Sequence, residues 1–125
     1  MIVVDSSALV AILLDEPDAE RFETAIASNE CLMSAATVAE MLIVALGKGV
    51  YIQAQDIIAS VDPTIVDLTE SRARAAAEAY GRYGKGFHPA ALNLGDSFAY
   101  ALARERDLPL LFKGDDFAKT DVKVA

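Results

Sequence analysis

The chain has 125 residues, of which 54% are hydrophobic, and a net charge of −8. We expect one domain over residues 1–125. The acidic balance excludes a simple basic nucleic-acid binder, but it leaves open a nucleic-acid contact that a bound cation mediates. Cys31 is the one cysteine and His88 the one histidine, which excludes an internal disulfide and a zinc site closed by these ligands.

The lengths and flanking residues of the apolar segments indicate where in the cell we expect the protein. No segment approaches the about 18 apolar residues of a membrane-spanning helix. The start, MIVVDSSALVAILLDEP, lacks a basic leading region and is interrupted by Asp5, so we expect no signal peptide. We therefore predict a cytoplasmic protein with no membrane partner. The high apolar fraction favours an exposed apolar surface, and hence a partner or a homodimer.

In chain order, short apolar runs alternate with helical patterns. Residues 1–5 predict a buried strand that ends at Asp5. A helix then begins at Ser6 or Ser7 and stops before Pro17. The pattern continues with a helix over 18–29, a strand over 30–34, a helix from position 35 that ends at Gly47, a helix over 50–61 and a strand over 64–68.

The second half follows the same alternation. A helix over 69–84 has Thr69 as its cap, and a loop with glycine and proline covers 85–93. A helix begins at Asp96, a strand covers 108–112, and the tail adds an edge strand. This alternation predicts a three-layer α/β/α sandwich with a mostly parallel sheet.

Carboxylates stand at the ends of these apolar elements. In an open α/β sheet, ligands bind beyond the carboxyl ends of the strands. Asp5 follows the first strand, Asp115 and Asp116 follow the last, and Asp96 opens the helix between. Glu40 is the only charge in an apolar helix and has no basic residue one turn away. The predicted architecture brings these acids to one edge.

Each acid also has a local explanation. Asp5 and Asp96 suit helix caps, Asp115 and Asp116 suit a turn, and Glu40 suits an exposed helix edge. These local roles do not explain why the acids would meet at one edge of the sheet, since like charges repel by about 1–3 kcal/mol per pair. Oxygen ligands without histidine or cysteine select Mg²⁺ or Mn²⁺. Such a site suits phosphodiester hydrolysis by a metal-activated water.

The sequence resembles a PIN-domain nuclease, and more narrowly a VapC-type toxin of a bacterial toxin–antitoxin pair. The resemblance spans the chain and rests on MIVVDSSALVAILLDEP, SAATVAEML, HPAALNLGDSFAYALA and LPLLFKGDDFAKTDV. It implies a parallel α/β/α sandwich and a Mg²⁺-dependent endoribonuclease that acts on RNA, with Mn²⁺ as a substitute. It also implies a homodimer and a cognate antitoxin that neutralises the toxin.

The resemblance implies an acidic quartet as the catalytic site. Asp5, Glu40 and Asp96 are three members, with Asp5 and Asp96 as the metal ligands. Ser7 resembles a small hydroxyl residue that lies beside the metal. Seven basic side chains are candidates for phosphate contacts, although many suit a plain solvated surface: Lys48, Arg72, Arg74, Arg82, Lys85, His88 and Lys113.

The fourth acid is ambiguous. Asp115, Asp116 and Asp121 compete for the position. Asp115 or Asp116 is favoured because both lie nearer the end of the last strand, and Asp115 is the nearest.

Two other functions stay open. A receiver-type phosphoacceptor domain would have an acidic pair after the first strand, where this chain has only Asp5, and Asp67 is followed by Leu68 instead of a loop. A phosphatase of the haloacid dehalogenase type would have Asp-x-Asp there. A non-catalytic α/β binding module is the alternative from another class. Mg²⁺-dependent RNA cleavage that is lost in Asp5→Asn distinguishes the enzyme from the module.

Overall fold

Four short strands form one parallel sheet in this computed structural model, which describes residues 1–125. The strand order is β3-β2-β1-β4. None of the helices combines the length and the apolar content that crossing a bilayer requires. In chain order the elements are β1 (Ile2–Val4), α1 (Ser6–Leu13), α2 (Ala19–Ala27), β2 (Cys31–Ser34), α3 (Ala35–Lys48), α4 (Tyr51–Val61), β3 (Thr64–Val66), α5 (Glu70–Tyr83), α6 (Leu94–Arg106), β4 (Leu110–Leu111) and a 3-10 helix at Phe117–Lys119.

Alternate strand residues pack against two different helix layers. Val3 of β1 belongs to a core cluster with side chains of α5 and α6. Ile2 and Val4 belong to a second cluster with side chains of α1 to α4. Because both faces are covered, the strands are apolar at nearly every position. The prediction of an α/β/α sandwich with a parallel sheet is confirmed.

The register of β1 and β4 places their ends at the same edge of the sheet. Val3 lies opposite Leu110, and Val4 opposite Leu111. The backbone N–H of Asp5 donates to the Leu111 carbonyl at 3.0 Å. The residues that follow β1 therefore emerge beside those that follow β4, which is the arrangement that the acidic residues after both strands require in order to meet.

The ends of α1 and α3 differ from the sequence prediction. Asp5, instead of Ser6 or Ser7, caps α1, because its backbone is extended and its carboxylate accepts the Ser7 N–H. The helix α3 continues through Gly47 and is capped by Gly49. Gly49 has a φ of 71°, a left-handed conformation that glycine adopts at low cost.

The start of α6 and the tail also differ. The helix α6 begins at Leu94 instead of Asp96, because Asn93 provides the cap. The tail forms a single parallel bridge between Val124 and Leu110 and no edge strand.

Candidate active site

Asp5 lies at the carboxyl end of β1, an interior strand of the sheet, and is 1% exposed. Its Oδ2 accepts a hydrogen bond from the Ser7 N–H at 3.0 Å. Its Oδ1 is buried and has no hydrogen-bond partner. Leaving a buried acceptor unpaired costs about 1–3 kcal/mol, and more when the group is charged. Helix capping therefore accounts for one oxygen of this side chain, and the other is available to a ligand.

Asp96 is held by a capping box at the start of α6. Its Oδ2 accepts a hydrogen bond from the Asn93 N–H at 3.0 Å, and Asn93 Oδ1 accepts one from the Asp96 N–H at 2.8 Å. These two bonds fix the orientation of the Asp96 carboxylate. Its Oδ1 takes part in no hydrogen bond of this box. Asp96, like Asp5, thus has one oxygen engaged by its own helix and one not.

Glu40 is half-buried on α3, between the starts of α1 and α6. Its Oε1 accepts a hydrogen bond from Ser6 Oγ at 2.7 Å. Its carboxylate lies directly over Gly95, where a Cβ atom would overlap it. The one acid of this apolar helix therefore has a polar partner on α1 and space on α6.

The acids act on one another's ionisation. Burial raises the pKa of Asp5 to about 7; the hydrogen bonds from Ser7 oppose the rise, and the charges of Asp96 and Glu40 add to it. Burial also raises the pKa of Asp96 to about 6, with further contributions from Glu40 and Asp116. Asp5, Glu40 and Asp96 therefore lie within electrostatic reach of one another, and Asp116 lies within reach of Asp96.

The acids after β4 have different environments. Asp116 raises the pKa of Asp96, whereas Asp115 makes no such contribution. Asp116 precedes the 3-10 helix, and its side chain makes no capping hydrogen bond. Asp121 accepts a hydrogen bond from the Tyr100 hydroxyl at 2.5 Å, which lowers the pKa of Asp121. Asp116 therefore lies within electrostatic reach of Asp96, and the Tyr100 hydroxyl engages Asp121, while the identity of the fourth acid stays a prediction.

Ser7 connects α1 to the segment that carries Asp116. Its Oγ accepts a hydrogen bond from the Lys113 N–H at 3.0 Å. The Lys113 ammonium forms an ion pair with Glu16 at the other end of α1. One hydrogen bond therefore joins this segment to the start of α1, and one ion pair joins it to Glu16 beyond the end of α1.

The basic side chains fall into two groups. Arg72 binds Glu105 through two hydrogen bonds of 3.0 and 3.2 Å, and Lys113 is paired with Glu16. Arg74 makes a looser contact of 3.6 Å with an acid on its own helix. The candidates for phosphate contact that form no ion pair are Lys48, Arg82, Lys85 and His88.

The donors at this edge fit a hard divalent cation. All are carboxylate oxygens, which Mg²⁺ and Mn²⁺ prefer to nitrogen or sulfur. No three acidic, histidine or cysteine side chains are already gathered into one ligand set. Mg²⁺ tolerates this, because it keeps several waters and binds through one or two carboxylates. The unpaired Oδ1 of Asp5 and the Oδ1 of Asp96 are among the oxygens available to such a cation.

Sequence reasoning missed three residues at this site. Asn93 had a readable signal, because Asn-x-x-Asp is a capping-box pattern. The sequence indicates Ser6 only as a possible helix start, and no sequence pattern singles out Gly95. Their contacts with Glu40 join separate helices and leave no local pattern in the sequence.

The PIN domain family matches residues 2–123. A VapC ribonuclease of Mycobacterium bovis, Mb0640, is 45% identical over 124 residues, which cover 96% of this chain and 95% of that protein. The chain belongs to the VapC family of PIN-domain ribonucleases. Ribonuclease VapC30 of Mycobacterium tuberculosis has the same identity and coverage, and ribonuclease VapC of Mycolicibacterium smegmatis is also 45% identical over 124 residues. The resemblance stated from the sequence is confirmed.

Solved VapC structures share the fold. The Mycobacterium tuberculosis toxin VapC20, described as cleaving the sarcin–ricin loop, superposes with a TM-score of 0.81 at 14% identity, covering 100% of this chain and 98% of that one. A toxin–antitoxin complex from Klebsiella pneumoniae gives 0.72 at 17% identity, with 100% and 97% covered. At these identities the likeness shows the PIN fold alone.

The raised pKa values predict that stability falls as pH rises. Unfolded aspartates ionise near about pH 4, whereas Asp5 and Asp96 in the folded chain ionise near about 7 and about 6. Between these values the folded state binds more protons, so the free energy of unfolding decreases with pH. In EDTA we expect Tm to drop by roughly 5–10 °C from about pH 5 to about pH 8.

The variant Asp5→Asn should flatten this dependence, and Asp56→Asn, at an exposed position, should preserve it. Thermal melts in EDTA across the pH range measure both. A wild-type Tm that is constant or rises over this range would contradict the buried, proton-binding carboxylates.

Proposed function

We propose that the chain is a Mg²⁺-dependent endoribonuclease and the toxin of a toxin–antitoxin pair. The observation that carries this is the Asp5 carboxylate, buried with one oxygen unpaired while Glu40 and Asp96 raise its pKa. A fold that holds like charges around a buried carboxylate is destabilised unless a cation or a proton offsets them. The relatives at 45% identity are named ribonucleases, which supports RNA as the substrate.

Asp5 and Asp96 are the residues that would hold Mg²⁺ or Mn²⁺. A backbone N–H fixes one oxygen of each, so both carboxylates are oriented before a cation arrives. The burial of Asp5 lowers the local dielectric and strengthens its attraction for a cation. When bound, the cation would polarise a phosphodiester and a water, which is the chemistry that hydrolysis needs.

Glu40 and Asp116 complete the pocket from two sides. Glu40 is oriented by Ser6 and lies between the helices that carry the two ligands. Asp116 is exposed at the rim and acts on Asp96. Because Mg²⁺ keeps several waters, these two acids would act largely through water, by accepting its protons and orienting it.

RNA must be bound by a chain with a net charge of −8. A cation held by Asp5 and Asp96 would offset part of the repulsion at the point of cleavage. Along the rest of the strand, the basic side chains without ion pairs are the available phosphate contacts. These are Lys48, Arg82, Lys85 and His88.

The acids should have unequal effects on RNA cleavage. We expect purified wild-type protein to cleave RNA in Mg²⁺ and not in EDTA. Asp5→Asn and Asp96→Asn should each lower the rate by at least about 100-fold, because each removes a charged ligand. Asp116→Asn should lower the rate more than Asp115→Asn, which serves as the matched control next to it. The measurement is the initial rate of cleavage of total RNA.

Two results would contradict this proposal. Equal rates of cleavage in EDTA and in Mg²⁺ would show that cleavage does not depend on the metal. An absence of cleavage by the wild type, on any RNA under either condition, would favour a non-catalytic binding module. If Asp115→Asn is the inactive variant and Asp116→Asn is active, the role of fourth acid moves back to Asp115.

A role as a toxin implies an antitoxin protein as a binding partner. Two structures that share this fold are described as a toxin–antitoxin complex and as VapBC2 of Rickettsia felis bound to promoter DNA. We expect cells that express this chain to stop growing unless its antitoxin is co-expressed. Cells that express Asp96→Asn should grow in both cases, because the block depends on RNA cleavage.

The homodimer has a candidate face beside the acids. An apolar groove between α3 and α6 is lined on one side by Ile43 and Val44 and on the other by Leu94 and Phe98, with Leu68 at its end. Ile43 is 67% exposed and Leu94 70%. Exposed apolar side chains in one continuous patch favour a protein partner. We expect a second copy, because the same patch on both subunits makes a self-complementary and mostly apolar interface, in which Glu40 is the one charged lining residue.

The variant Ile43→Glu should convert the dimer to a monomer. A charge at the centre of an apolar interface is costly, whereas Ile43 is already exposed in one subunit, so the fold should persist. Ile52→Glu on α4 is the matched control, since Ile52 is 69% exposed and does not line the groove. Light scattering should give twice the 13.3 kDa chain mass for wild type and control. A wild-type protein that is monomeric at tens of micromolar would contradict the proposed homodimer.

A further inference from the structure

Two contacts from different helices hold the Glu40 carboxylate. Ser6 Oγ on α1 donates a hydrogen bond to Oε1 at 2.7 Å. Gly95 on α6 lies so close that a Cβ atom at this position would fall on the carboxylate itself. Three elements therefore meet at one side chain: α3 carries Glu40, α1 supplies a hydrogen-bond donor, and α6 supplies space.

These contacts flank the two proposed metal ligands. Ser6 directly follows Asp5 in the chain, and Gly95 directly precedes Asp96. The starts of α1 and α6 therefore determine both where the ligands lie and where the Glu40 carboxylate lies. A change in either contact would move Glu40 relative to Asp5 and Asp96 without altering those two side chains.

The backbone does not require glycine at position 95. Gly95 is inside α6, where its φ is not positive and where alanine is the better helix former. The three atoms nearest to such a Cβ all belong to the end of the Glu40 side chain. Glycine is therefore required at position 95 because a side chain there would displace the Glu40 carboxylate.

We propose that Ser6 and Gly95 are positioning residues for Glu40, and that they set how tightly the acidic site holds a divalent cation. The inference rests on the proposed metal-dependent function. Gly95 lets the carboxylate reach the start of α6, and the Ser6 hydroxyl selects its orientation. A charged hydrogen bond of this kind is stronger than a neutral one, which suits it to fixing a carboxylate.

The first test is Gly95→Ala. The end of Glu40 is flexible, so the added methyl should displace the carboxylate and leave the fold intact. We expect Tm in EDTA at or above the wild-type value and a Kd for Mn²⁺ that is about tenfold higher, as for residues that orient metal ligands. Gly47→Ala is the control, because it is also helical and has nothing within 4 Å of an added Cβ. Its Kd for Mn²⁺ should equal that of the wild type.

The second test is Ser6→Ala, with Ser71→Ala as the control at an exposed helix start. Ser6→Ala should also raise the Kd for Mn²⁺ by about tenfold, and Ser6→Thr, which keeps the hydroxyl, should restore it. In a Glu40→Gln background, neither Ser6→Ala nor Gly95→Ala should weaken Mn²⁺ binding further, because both act through Glu40. Calorimetric titration with Mn²⁺ measures every variant without RNA.

Three results would overturn the inference. One is a wild-type Kd in both Ser6→Ala and Gly95→Ala while Glu40→Gln binds Mn²⁺ more weakly. Another is an unchanged Glu40 carboxylate in a metal-free crystal structure of Gly95→Ala. The third is additive losses with Glu40→Gln. If the wild type itself binds no Mn²⁺ and cleaves no RNA, the proposed function fails and the inference fails with it, which the wild-type titration alone reveals.

Discussion

The Asp5 carboxylate lies at the carboxyl end of β1. One of its oxygens caps α1, and the other has no hydrogen-bond donor in the protein. Burial of this group raises its pKa to about 7. The side chain cannot escape to solvent, because β1 lies between β2 and β4 and is covered by helices on both faces. A proton or a bound cation at this oxygen would offset the cost of burying it unpaired.

The acids around Asp5 support the proposed cation. Asp96 and Glu40 add negative charge beside Asp5, and Asp116 adds more beside Asp96. A divalent cation would offset more of this charge than a single proton would. Each acid is also prevented from turning away: Asp96 by its capping box and Glu40 by Ser6. The site is thus oriented in advance, at a cost in stability that a bound cation would offset.

The fold was predictable because apolar runs and helix caps are local patterns. The runs that became β1, β2 and β4 are buried on both sides, and the cap at Thr69 is as expected. Helix ends were less predictable: a glycine such as Gly47 continues a helix unless the backbone turns left-handed, as it does two residues later. Tertiary packing decides such cases.

The approach of Asp5, Glu40 and Asp96 to one another was predictable from strand ends and from the isolation of Glu40 in an apolar helix, whereas their catalytic and metal-binding roles stay predictions. The choice between Asp115 and Asp116 was not predictable, because it depends on which way a short segment after β4 faces. Nor was the contact of Gly95 with Glu40, which joins residues far apart in the chain and appears only when α3 and α6 pack together. Sequence patterns therefore indicated which acids approach one another, and packing determined their geometry.

The central claim is that the free oxygens of Asp5 and Asp96 hold a divalent cation. An anomalous difference map from a crystal soaked in Mn²⁺ tests it most directly, because the peak marks the metal without reference to activity. The account predicts one main peak within about 2.0–2.4 Å of Asp5 Oδ1 and of an Asp96 oxygen. A peak elsewhere, or an occupied site in which Asp5 Oδ1 remains unpaired, would contradict it.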